Sequence, residues 1–291
     1  MTAVRELWLR VPLLVRAVLT GLVAAMAGAL PWTFLMSANT KHLSAVPWAV
    51  PIMAAYLWLY WRYVRGSGWP QSTSASRRTN SRANRLPDDV WGLALLAGIL
   101  GLTGVLLLQG VLGRLVSLPQ QQDLDVSRYP AATALLWVLM SGVVAGVVEE
   151  TSFRGYMQRP IEHRHGPVVA ILVTGIAWGL GHFTHPEITL VLLPFIVAAA
   201  AVYGALAHLT DSTLPSMVLH AGGNVFSAAG LFLGGRSEWQ LTSAPKPLIW
   251  EAGADASFWI TVVALLVVGA AAVSAYSALS RAAHRGRIVY T

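Results

Sequence analysis

The stretch 131–158, AATALLWVLMSGVVAGVVEETSFRGYMQ, decides how the rest of the chain is read. Its first 18 residues carry no charge, close to the roughly 20 apolar residues that a helix needs to cross a bilayer. Glu149, Glu150 and Arg154 follow at once. An ionisable group at the centre of such a span costs roughly 2.5–3.5 kcal/mol on insertion scales, so these positions point to function.

Working outward, similar apolar stretches lie near 11–35, 44–62, 89–113, 167–186, 188–208, 213–233 and 257–280. The expected fold is all-α, a polytopic transmembrane helical bundle of about eight spans. Composition agrees: of 291 residues 55% are hydrophobic and only 11% charged, against about 25% charged in ordinary soluble domains. The first stretch follows Arg5, Glu6 and Arg10 as a signal peptide might, but it contains Arg16 and runs too long, so it reads as a retained anchor. The sixth and seventh stretches are split only by a turn at Asp211, Ser212 and Thr213, which also allows two half-buried helices. With no cysteine, disulfides, thiolate-bound zinc, iron–sulfur clusters and thiol nucleophiles are excluded.

The net charge of +7 gains meaning from its placement. An inside N-terminus with eight spans puts 15 of the 20 Lys and Arg residues on the cytoplasmic side, as the positive-inside bias requires. The expected location is the cytoplasmic membrane with both termini inside. Residues 1–65 hold two N-terminal spans. Residues 66–87, GSGWPQSTSASRRTNSRANRLP, lack an apolar period and read as a flexible, basic cytoplasmic linker that touches anionic membrane lipids rather than nucleic acid. Residues 88–291 form the main bundle, with a core near 131–233. The segment 234–256, with Trp239 and Trp250, reads as an external interfacial loop. No internal repeat of the kind found in many transporters is present.

Glu150 and Arg154 are four residues apart and should pair along one helix face. Glu149 lies about 100° around the axis and stays available to a bundle interior. His220 and Asn224, in SMVLHAGGN, also share a face, while His182 stands alone in AWGLGHFTH. From their span ends, Glu149, His182 and His220 sit roughly 16, 24 and 12 Å deep, close enough for tilted helices to converge on one cytoplasm-facing cavity. His185 shares His182's face, but its neighbour Pro186 makes it a helix-end residue. The pairs Gly142–Gly146, Gly175–Gly179 and Gly230–Gly234 permit close helix approach, with no oligomeric state implied.

A carboxylate, two imidazoles and an amide can activate water and stabilise an oxyanion, the needs of amide hydrolysis. HExxH, GxSxG and Walker A sequences are missing. Glu149 to Arg154 matches the EExxxR motif, Trp178 to His182 corresponds to FxxxH, and His220 to Asn224 matches HxxxN. In that order, within apolar helices, they resemble the CPBP family of intramembrane proteases, which includes the CAAX prenyl endopeptidases and Abi-type proteins. The resemblance covers roughly 140–230 and departs at Trp178, where the family usually has Phe.

The resemblance implies an intramembrane endopeptidase acting on a membrane-associated or lipidated peptide or protein. Glu149 would be the general base, His182 would position the water, and His220 with Asn224 would support the oxyanion. Glu150, Arg154 and Trp178 would support the motif. No cofactor is favoured, although Glu149, His182 and His220 form a set that zinc could use. The competing expectation is a non-enzymatic membrane protein, either a transporter using the same residues as a proton relay or a scaffold holding them as a structural network.

Overall fold

The computed structural model describes residues 2–118, 129–181, 186–233 and 247–289, and among them every regular element is helical. A short α1 (Thr2–Arg10) precedes α2 (Leu13–Lys41) and α3 (Ala49–Val64). A 3₁₀ turn (Gln71–Thr73) and α4 (Ser74–Ser81) lead to α5 (Asp88–Leu112). Then α6 (Ala131–Glu149) runs through a π-helical segment (Glu150–Met157) into α7 (Gln158–Gly181). They are followed by α8 (Pro186–Thr210), α9 (Leu214–Leu233), α10 (Ile249–Ala252) and α11 (Ala256–Val289).

Among the described residues, each of the eight apolar stretches lies for the most part on a helix. Several boundaries follow from local chemistry: Pro12, Pro87 and Pro130 occupy the N-cap positions of α2, α5 and α6. Asp88 and Asp89 in the first turn of α5 suit the positive end of its dipole. Gly166 has φ 81°, a value that favours glycine, and Pro167 follows, so α7 breaks there into two limbs. Asp211 makes the tight reversal between α8 and α9.

Among the described residues, five stretches are long and apolar enough to cross a membrane: α2, α5, α8, α11 and 131–181, which Gly166 kinks. The 16 residues of α3 rise only about 24 Å, short of a hydrocarbon core of about 30 Å. The protein is thus a multi-pass membrane helical bundle.

Packing follows two clusters. One joins α2, α5, the π segment, α7, α8, α9 and α11 around Met157, Ile161 and Leu206. The other joins α2, α3, α6 and the π segment around Trp32, Met53, Trp137 and Val148. Each burial of such a side chain contributes about 1.5–3 kcal/mol in water, but in lipid the gain comes from close van der Waals packing. The broad contact of α6 with α9, and of α7 with α8, brings the motif-bearing helices side by side.

Residues 66–87 differ from the flexible linker expected. Arg77 is buried, donating to the carbonyls of Tyr63, Ser67, Gly68 and Pro70 while its guanidinium lies 4.2 Å from the Tyr63 ring centre. Arg82 is buried too, bidentate to Glu162 at 2.9 Å and bonded to Asp211 at 2.9 Å. The Thr213 amide donates to the Arg82 carbonyl and the Ser212 hydroxyl to that of Asn84, fixing the segment to the α8–α9 turn. Apolar content was the wrong measure for this stretch. The two guanidiniums order the segment in different ways, Arg77 by satisfying its backbone carbonyls and Arg82 by pairing with carboxylates of other elements.

Candidate active site

Glu149 and Glu150 stand where α6 passes into the π segment. Such i→i+5 turns are rare and recur at functional sites, because they rotate side chains out of ordinary α-helical register. Here both carboxylates reach one imidazole from opposite sides. His220 Nδ1 lies 2.9 Å from Glu150 Oε1, and Nε2 lies 4.0 Å from Glu149 Oε2.

The two acids differ in access. The Glu150 side chain is 0% exposed, whereas that of Glu149 is 24% exposed. The expected Glu150–Arg154 pair is present at 3.3 Å along the helix. Arg154 is itself 1% exposed, and its guanidinium carbon lies 4.8 Å from the Trp178 ring centre and 5.2 Å from that of Tyr203. Aromatic faces attract a desolvated cation by about 2 kcal/mol or more. A buried acid, a buried cation and two rings therefore form a rigid floor under His220.

Trp178 does more than fill the place of a phenylalanine. Its Nε1–H donates to Glu149 Oε2, a bond that phenylalanine could not make. Its ring also meets that of His220 edge to face, with centroids 5.7 Å apart.

Sequence reading missed Tyr203. On α8, buried, it stacks on His220 at 5.1 Å with an interplanar angle of 11°. A single tyrosine inside an apolar run gives no periodic signal.

Asn224 is half-buried, one turn after His220, and packs beside Gly142 of α6. Glycines at 142 and 146 let α9 come close enough to α6 for this alignment. His182 and His185 lie outside the described residues, as does 234–246, so their expected contributions have no counterpart in the geometry. Among the described residues no cluster of three or more His, Asp or Glu suits a metal ion. The two described members of the proposed zinc set, Glu149 and His220, would need His182 to complete it.

A second polar cluster lies further along the same helices. Glu162 bonds to Arg82, His208 and Gln158, and Arg159 bonds to Asp211. Asp211 follows Tyr203 by eight residues, which places this network about 12 Å along α8 from the His220 stack.

Glu149, Glu150 and Trp178 thus meet around the His220 imidazole, and Asn224 lies one turn further along α9. Residues 131–226, about a third of the chain, match the family model described as Type II CAAX prenyl endopeptidase Rce1-like. No curated protein and no solved structure matches significantly. The matched segment holds all three motifs, and over it the chain is similar to the Rce1-like type II CAAX prenyl endopeptidases.

Proposed function

We propose that the protein is an intramembrane endopeptidase in which Glu149 activates the attacking water. One observation carries this reading: of two adjacent carboxylates, Glu150 is sealed beneath His220 and Arg154, while Glu149 keeps open surface beside Nε2 of the same ring. A general base must reach the proton it removes. Glu149 takes a proton from water as the water oxygen bonds to the peptide carbonyl carbon, whose oxygen becomes the oxyanion. The intermediate then collapses, the C–N bond breaks, and the proton passes from Glu149 to the leaving amine.

Glu150 holds the Nδ1–H of His220 and so fixes the ring, the orienting role that a buried carboxylate plays in a catalytic triad. Nε2 and Asn224 would support the oxyanion, with His182 positioning water. The substrate class is a membrane-associated or lipidated peptide or protein. The distribution of basic residues supports the cytoplasmic membrane, with both termini and the polar network at its inner face.

Peptide termini compared between cells carrying the native chain and Glu149→Gln test the proposal. Termini that vanish in the variant, with the protein still present in the membrane, are expected; coincident profiles would refute it. Cleavage that is lost with a chelator and restored by zinc would reassign Glu149 and His220 as metal ligands.

A further inference from the structure

Beyond the peptidase site, a cavity of about 810 Å³ opens between residues 82–87, the start of α5, the first limb of α7 and the ends of α8 and α11. We infer that it binds the phosphate of an anionic phospholipid headgroup.

Its charges are unequal. Arg82, Arg85 and Arg159 line it against Glu162 and Asp211, with His163 and His208 beside them. Both acids are already engaged: Glu162 with Arg82 and His208, Asp211 with Arg82 and Arg159. Arg85 is exposed and has no ion-pair partner among the described residues. The Nε of Arg159 is buried without a hydrogen-bond partner. A buried guanidinium nitrogen lacking an acceptor is costly, and Arg159 would gain one by turning its guanidinium toward an anionic oxygen in the cavity it lines. The cavity therefore offers one spare cation and one unmet donor.

Two observations favour a lipid over a free phosphate ion. Leu86, Pro87, Val90 and Ala283 give the cavity an apolar wall. It also sits where α5 begins and the apolar run of α11 ends, the level of bilayer headgroups. Arg281 and Arg285 add positive charge on the same end of α11 as Ala283. Basic pockets between membrane helices commonly hold such headgroups.

Native mass spectrometry of the detergent-purified full chain, titrated with dioctanoyl phosphatidylglycerol, dioctanoyl phosphatidylcholine or inorganic phosphate, tests the inference. One phosphatidylglycerol should be retained about tenfold more tightly than phosphatidylcholine. Arg85→Gln, a change at an exposed and unpaired side chain, should weaken that binding about tenfold, as loss of a charge-assisted contact does. Arg159→Gln should do the same, with its melting midpoint recorded to separate lost binding from lost fold. Equal retention of the two lipids, displacement of phosphatidylglycerol by an equal concentration of inorganic phosphate, or unchanged binding in a folded Arg85→Gln each overturns the assignment.

Discussion

Gly146→Ala should disable the site without touching any of its polar groups. A Cβ at Gly146 would lie 2.7 Å from Ala221 Cβ, 2.8 Å from the Ala221 amide nitrogen and 2.9 Å from the Met217 carbonyl oxygen. Two of these atoms are backbone, so no rotamer change relieves the contact. Restoring even a 3.4 Å separation from Ala221 Cβ means moving α9 from α6 by about 0.7 Å. His220 is the residue before Ala221, and the displacement passes straight into its contacts with Glu149 and Glu150. Overpacking of this kind costs about 1–3 kcal/mol, partly offset by the roughly 1 kcal/mol that alanine gains over glycine within a helix. A 1 Å misplacement of reacting groups can cost about 10²-fold in rate, so a fall of at least tenfold is expected.

Gly142→Ala provides the internal control. There the nearest atoms are side-chain carbons, Asn224 Cβ at 3.2 Å and Val225 Cγ2 at 3.3 Å, and a small adjustment suffices. Its thermal stability should match or slightly exceed that of the native chain. Melting in detergent and turnover of a Glu149-dependent cleavage, measured on both variants, form the assay. Gly146→Ala with native melting and native turnover would refute the claim that close approach of α6 and α9 sets the geometry of His220.

Trp178→Phe keeps an aromatic ring but removes the donor to Glu149, and turnover should fall about tenfold at little cost in melting; unchanged turnover would make the bond incidental. Arg82→Gln leaves half-buried Glu162 without its bidentate partner and should cost about 1–3 kcal/mol, while the double change with Glu162→Gln should cost less than the two single losses added together; additive melting shifts would contradict this coupling. In the turn before α11, hydrogen bonds from the Phe258 amide, the Ser257 hydroxyl and Arg114 lower the Asp255 carboxyl from 3.8 to about 2. Its stabilising effect is therefore complete above about pH 4 and is lost as pH falls through about 2, so the melting difference between the native chain and Asp255→Asn should shrink over that window. For topology, Ser74 is buried with its hydroxyl on the Gly66 carbonyl, and exposed Ser72 is the better probe: Ser72→Cys should be labelled only from the cytoplasmic side.

Hydropathy made the helices legible because each apolar run is long, whereas the features that position the site depend on contacts between distant residues. The spacing of Glu150 and Arg154 foretold their pairing, since four residues fix a shared helix face. Nothing in that spacing foretold that His220 would take Glu150 on one nitrogen and face Glu149 with the other. That outcome needs the π segment, whose wider turn leaves no mark in apolar periodicity. Trp178 was recognised as a motif variant, but its indole donor acquires a purpose only when α7 meets α6. Buried Arg82 reverses the usual reading of a basic, Ser-rich stretch, because its partners Glu162 and Asp211 are 80 and 129 residues away.

Two neighbouring glutamates can serve different ends only if their surroundings separate them, and here burial does so. Glu150 is enclosed, and a buried carboxylate needs donors; Nδ1–H of His220 supplies one, while Arg154 balances the charge from 3.3 Å. Tyr203 stacked on one face and Trp178 against its edge leave the ring little freedom to turn. Nε2 therefore faces Glu149 Oε2 across 4.0 Å, too far for a direct hydrogen bond and suited to a group held between them. Exchanging the two acids' roles would require Glu150 to leave its sealed position and break with both His220 and Arg154. In the proposed mechanism the order of the pair is thus built into the helix: the first glutamate would meet the reactant, and the second holds the histidine that faces it.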